Sequence, residues 1–110
     1  MQVVAFGNYL RKAPEASDGH APASAATVAQ LIDSISYAVK KIGIDHVGIS
    51  SDFNHGGGVV GWQNEGESQN VTVELLRRGY SDRDIAKLWG GNFLRVWAQA
   101  QAAGKTTVRN

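Results

Sequence analysis

The sequence predicts an α/β fold built on parallel strands. Two apolar runs, around residues 3–6 and 47–49, read as strands, and the second is rich in β-branched residues. Between them, Val28, Leu31, Ile32, Ile35, Val39 and Ile42 fall at the spacings of three, four and seven that line one face of a helix. Strand, helix and strand in this order make a βαβ unit. Such a unit implies parallel pairing with a right-handed crossover, and a parallel sheet needs cover on both faces.

The bulk properties narrow the field. A chain of 110 residues suits one domain with one modest core. With 43% hydrophobic and 19% charged residues the composition is that of a globular protein rather than a disordered tail. Eleven basic and ten acidic side chains leave a formal charge of +1, which gives no electrostatic case for nucleic acid or an anionic membrane. The lack of cysteine excludes a disulfide framework and thiolate metal sites, without fixing the compartment. No apolar run approaches the roughly 20 residues of a transmembrane span. In "MQVVAFGNYLRK" the positive charges follow the apolar segment, the wrong order for a secretory signal. The chain is therefore expected to be soluble, with no visible targeting signal and no assigned localisation.

Taken in order, residues 1–10 are expected to hold the first strand, buried on both faces around Val3, Val4, Ala5 and Phe6. The stretch "RKAPEASDGHAPASAA", broken by Pro14, Gly19 and Pro22, reads as an exposed loop. A helix over residues 27–43 stops at Gly43, and the second strand occupies residues 45–51, with Gly48 admitting a neighbouring backbone. A loop follows over residues 52–68, then helices over 69–103. The first of these closes at Gly79, and Ser81 with Asp84 three residues later makes a capping pair for the next. Ile85, Leu88 and Trp89 supply its apolar face. Gly90 and Gly91 break that helix, Asn92 is expected to cap the last one, and Gly104 to end it before a loose tail over residues 104–110. Trp89 and Trp97 are expected in the core.

Function points to "GISSDFNHGGGVVGW", residues 48–62. In parallel α/β architectures, ligands sit beyond the carboxyl ends of the strands, where Asp52 falls. An acid there can act as a metal ligand, a general base or a positioning group, and its plainer role is a helix cap or a solvated loop acid. Gly56, Gly57 and Gly58 would let backbone approach a ligand closely. His55 before them resembles the oxyanion-hole segment of some esterases, but the chain has no G-x-S-x-G nucleophile elbow. "DFNHGGGVVGWQ" fails as a calcium loop because Gln63 stands where a bidentate glutamate is needed. There is no phosphate-binding G-x-x-x-x-G-K-[ST] loop. His20, His46 and His55 lack zinc-site spacing: His46 is expected to be structural, His20 solvated, and His55 the one near Asp52. Trp62 is a candidate pocket wall or lid, with simple loop packing as the alternative, and Asn70-Val71-Thr72 matches a glycosylation sequon, a pattern common by chance.

Three pieces carry a resemblance: G-x-x-S-D-F at residues 48–53, L-L-R-R-G-Y at 75–80 and G-G-N-F-L-R-V at 90–96. Together with "LIDSISYAVKKIGIDHVGI" they closely resemble the carboxyl-terminal part of the membrane dipeptidase family, also called renal dipeptidases, over most of residues 1–103. The resemblance implies a (β/α)8 TIM barrel carrying two zinc ions bridged by a hydroxide. It further implies hydrolysis of dipeptides, including those with a D-residue at the carboxyl terminus, and in some relatives the opening of β-lactam rings. It makes the first strand the seventh of the barrel and the second the eighth. By motif, Asp52 corresponds to the aspartate that contacts the metal-bridging water and takes its proton. Tyr9 corresponds to a tyrosine lining the substrate pocket, and Asn54, His55 and Trp62 lie on the loop at its mouth.

Two departures bear on this. Where many members read D-F-D-G, this chain has Asn54 and His55. The family's zinc-binding histidines, aspartate and bridging glutamate belong to earlier strands, so the resemblance assigns no metal ligand to these residues. A barrel of this type needs about 250 residues, so 110 are expected to be an incomplete, truncated segment. Its open sheet edge is expected to draw a complementary amino-terminal piece or a second copy. The alternative is an inactive remnant or interaction module; a free-standing hydrolase using the glycine loop lacks a nucleophile.

Overall fold

A computed structural model describes residues 1–10 and 26–107; His20 and the loop expected around it lie outside the described residues. Strand β1 covers Gln2–Val4 and a short helix α1 covers Gly7–Leu10. Helix α2 runs Val28–Ile42 and strand β2 Gly48–Ser50, and the two strands pair in parallel with Val3 opposite Ile49. Helices α3 (Ser68–Arg77), α4 (Asp82–Ala86) and α5 (Asn92–Thr107) follow.

Both strands are shorter than the sequence predicts. After Val4 the backbone turns on itself: the Phe6 amide donates to the Val4 carbonyl at 2.8 Å and the Tyr9 amide to the Phe6 carbonyl at 2.9 Å, so the expected strand over residues 1–10 ends in α1. Before β2, Ile44–His46 winds as a 3-10 turn because Gly43, at φ 89°, reverses the chain and its carbonyl accepts from the His46 amide at 3.2 Å. Gly48 lies beside the backbone of β1, its amide donating to the Met1 carbonyl at 2.8 Å, and the side chain of Gln2 fills the space a Cβ would take.

Helix α2 starts at a capping box. The Thr27 hydroxyl accepts from the Gln30 amide at 3.3 Å, and the Gln30 side chain accepts from the Thr27 amide at 3.0 Å. Its stripe of Val28, Leu31, Ile32 and Ile35 is buried against Val3, Ala5, Val47 and Ile49 of the strand segments in one cluster with Val71, Leu75, Ile85 and Leu88. Each such aliphatic side chain stabilises the fold by about 1.5–3 kcal/mol. Ile42, last in the stripe, is 44% exposed at the helix end.

The two downstream motifs act as stitching. Arg78 donates to the Asp33 carboxylate at 2.6 Å, to the Ala29 carbonyl at 2.9 Å and to Glu74 at 3.1 Å, which ties the end of α3 to α2. The hydroxyls of Tyr80 and Ser36 add a 2.8 Å bond between the same segments. Arg95 donates to the Asp45 carbonyl at 2.6 Å. Ser81 caps α4, accepting from the Asp84 amide at 3.1 Å.

Three expectations for the last helix are corrected. Asn92 is not a cap: it has helical φ −63° and ψ −46°, because a wide turn over Lys87–Gly91, bent at Gly90, carries α4 into α5. Its side chain is drawn instead into the core, where it donates to the carbonyls of Ile44 and Val47. Gly104 does not end the helix, which continues to Thr107 with open space around that glycine. Trp97 is 53% exposed and stacks edge-on with Phe93 at 5.9 Å rather than entering the core, since the described part of the fold offers α5 little to pack against beyond its first turn. No helix among the described residues is long and apolar enough to cross a membrane.

Candidate active site

Because β1 and β2 are parallel, the segments that follow them leave the sheet at the same end. Tyr9 lies in the turn after β1 and Asp52 two residues beyond β2. The loop after Asp52 then crosses the end of the sheet. The Gly58 amide donates to the Ala5 carbonyl at 2.6 Å, the Val60 amide to the Ala26 carbonyl at 2.8 Å, and the Val28 amide to the Val60 carbonyl at 3.1 Å. The glycine segment is thereby pinned to the end of β1 and to the start of α2.

Asp52 has φ 57° and ψ 32°, the left-handed region, and it alone among the described non-glycine residues has a positive φ. Aspartate tolerates this conformation better than most side chains. It precedes a 3-10 turn, Phe53–His55, yet its side chain makes no capping bond, which removes the plain capping role. Its backbone carbonyl accepts from the His55 amide at 3.0 Å and from the Gly57 amide at 2.8 Å. The carboxylate itself is exposed and takes part in no hydrogen bond or ion pair among the described residues. A carboxylate fixed at its root and free at its tip can accept a proton from a bound molecule.

Tyr9 is 79% exposed, its ring tilted on Phe6 at 5.0 Å between centroids, and Phe6 is bridged to Gly58. The structure thus links Tyr9 to the Asp52 loop through Phe6. Asn54 and His55 are exposed in the turn beside Asp52. The three glycines do not simply present backbone to a ligand: Gly57 packs on the chain's own Ser51 and Asp52 carbonyls.

Trp62 packs inside the fold. Only 2% of it is exposed, its ring lies edge-on to Phe53 at 5.2 Å and to Trp89 at 5.6 Å, and its Nε1 donates to the Ser68 hydroxyl at 2.9 Å. An indole in a loop buries itself this way when apolar neighbours and one acceptor are within reach. Trp89, as expected, packs at the core, with its Nε1 on the Thr72 hydroxyl at 2.9 Å. The sequon is likewise engaged: Asn70 lies inside α3 with its amide on the Gly61 carbonyl at 2.7 Å. His46 is exposed in the turn before β2, remote in the strand from Asp52, and its carbonyl accepts from the amino terminus at 2.8 Å.

Among the described residues no group of three or more His, Cys, Asp or Glu side chains could hold a metal ion. Asp52 and His55 do not suffice for the two zinc ions that the resemblance implies. A cavity of about 670 Å³ opens beside β1, walled by Val4, Leu10, Tyr37 and Ala38, and one of about 450 Å³ lies where Ile49, Ser50, Phe93 and Leu94 converge. Asp52 lines neither.

The model of the membrane dipeptidase family, peptidase family M19, matches residues 1–110. The dipeptidase ataJ of Aspergillus terreus is 38% identical over 74% of this chain and 22% of its own length. The dipeptidase aclJ of Aspergillus oryzae is 35% identical over 76% of this chain and 20% of its own length. A crystal structure of the probable dipeptidase PvdM from Pseudomonas aeruginosa is 66% identical, with a TM-score of 0.69, over 70% of this chain and 19% of that one. The mixed strand and helix arrangement thus matches a dipeptidase structure. The chain spans about a fifth of the length of the curated relatives it matches.

Proposed function

This chain belongs to the membrane dipeptidase family, and on that premise we propose that it forms the carboxyl-terminal part of a dipeptidase-like hydrolase. In this reading β1 and β2 are the last two strands of a (β/α)8 barrel, and Asp52 is the general base. The observation that carries it is the exposed carboxylate of Asp52 on a left-handed turn at the carboxyl end of a parallel strand, within the G-x-x-S-D-F motif.

The chemistry follows from that placement. Asp52 takes a proton from the attacking water as its oxygen bonds to the peptide carbon, and the proton passes to the leaving amine as the C–N bond breaks. Tyr9, Asn54 and His55 contact the dipeptide, including one ending in a D-residue. The family's two zinc ions need ligands from segments other than those described here, since the described residues hold no such cluster.

The open flanks support the same reading. Two strands cannot cover or close a parallel sheet, and the apolar cavity beside β1 suits a further strand and helix of the same enzyme. A second reading, an inactive module that binds a partner, is favoured by the exposed apolar side chains of Phe93, Leu94, Val96 and Trp97 on α5. The discriminating experiment grafts residues 1–110 into a dipeptidase relative of measured turnover, in place of its matching segment. Retained dipeptide hydrolysis supports the enzyme segment; a folded graft without hydrolysis supports the module.

A further inference from the structure

Three features meet at one turn. Asp52 holds a left-handed backbone, φ 57° and ψ 32°. Its carbonyl is the shared acceptor of the His55 and Gly57 amides, at 3.0 and 2.8 Å. Gly57 has no room for a side chain: a Cβ there would press on the Ser51 carbonyl oxygen and lie 2.5 Å from that of Asp52. These neighbours are backbone atoms, so no side-chain rotation relieves the clash. Elsewhere the same addition is harmless, as at Gly104, which has open space around it.

We propose that Gly57 is a positioning residue that aims the Asp52 carboxylate. The proposal rests on the reading of Asp52 as general base. A carboxylate that makes no hydrogen bond of its own among the described residues can be directed only through its backbone, because the φ and ψ of Asp52 set the direction of its Cα–Cβ bond. Gly57 closes the turn that fixes those angles, and does so by fitting where any other residue would push the two carbonyls away. The glycine run therefore serves first to shape the turn carrying Asp52, and the middle glycine is the member whose missing side chain matters by contact with the two residues ahead of it.

The test uses Gly57→Ala, Asp52→Asn and the control Gly104→Ala in the grafted dipeptidase, with kcat, KM, zinc content and melting temperature read for each. Misplacement of a base by about 1 Å lowers turnover by about 10²-fold. Gly57→Ala is expected to lower kcat on that order with KM within a few-fold and zinc content unchanged, while Gly104→Ala, inside α5, leaves kcat, KM and zinc content in place and does not lower the melting temperature. Full kcat in Gly57→Ala beside an inactive Asp52→Asn overturns the positioning role and leaves the base intact; full kcat in Asp52→Asn overturns the base itself. Should Gly57→Ala fail to fold, NMR of the full 110-residue wild-type chain decides: left-handed Cα and Cβ shifts at Asp52 with slowly exchanging His55 and Gly57 amides support the clamp, and an extended Asp52 contradicts it.

Discussion

The side-chain amide of Asn92 donates to the backbone carbonyl of Val47 at 2.8 Å, tying the first turn of α5 to the residue that leads into β2. The same amide reaches the Ile44 carbonyl at 2.6 Å, and Asn92 is only 6% exposed. Removing it leaves two carbonyls without their donor, a loss of about 1–3 kcal/mol. Asn92→Ala should therefore lower the denaturation midpoint, and Asn92→Asp should do the same, since a carboxylate cannot donate. Unfolding curves within about 0.5 kcal/mol of wild type would contradict the tie.

Trp62 yields a prediction of the opposite kind to the one its sequence position invites. As a buried ring with its Nε1 on Ser68, it should cost about 3–5 kcal/mol on truncation to alanine. Trp62→Phe keeps most of the packing and loses the bond. In the grafted dipeptidase it should lower the melting temperature while leaving KM within twofold; a large change in KM with stability intact would return Trp62 to the pocket.

The ion pair between Lys87 and Asp45, at 2.7 Å, gives a pH signature. The hydrogen bond from Lys87, and then its charge, hold the Asp45 carboxyl below its ordinary value. A carboxyl with a depressed folded pKa stabilises the fold above its unfolded pKa of about 3.9, and this contribution is lost as pH falls through the lower folded value. Asp45 lies at the surface, so the effect is small. The gap in melting temperature between wild type and Lys87→Met should be largest above about pH 5 and narrow below about pH 3.9. A gap that widens in acid would reverse the assigned sign.

Zinc analysis of the isolated chain bears on where the metal ligands lie. With no cluster of metal-binding side chains among the described residues, the purified chain should retain far less than one zinc per molecule after dialysis. Stoichiometric zinc would mean a site assembled from this chain alone.

Much of the helical architecture was legible in the sequence because it is written locally. The stripe from Val28 to Ile35 names its own face, and Ser81 with Asp84 marks a helix start in a few residues. The Thr27–Gln30 capping box is equally local, a threonine with glutamine three residues later. What sequence alone misplaced depends on partners far along the chain. Asn92 has the residue type of a cap, but carbonyls 48 and 45 residues away claim its amide. Trp97 has the composition of a core residue with little in the described fold to cover it. At the site, the position of Asp52 after a strand was readable from its motif. Its left-handed backbone was not, because the turn it belongs to closes through the amides of His55 and Gly57 on its carbonyl, a contact with no periodic signature.

In the proposed reading Asp52 is the base of a dipeptidase to which this chain contributes the last strands. The most direct test is the kcat of Asp52→Asn against wild type in the grafted, zinc-loaded enzyme, with a dipeptide at saturation. Loss of a general base lowers the rate by about 10²–10⁴-fold, and a loss in that range is expected with zinc content and melting temperature preserved. An Asp52→Asn enzyme that turns over at the wild-type rate would contradict it.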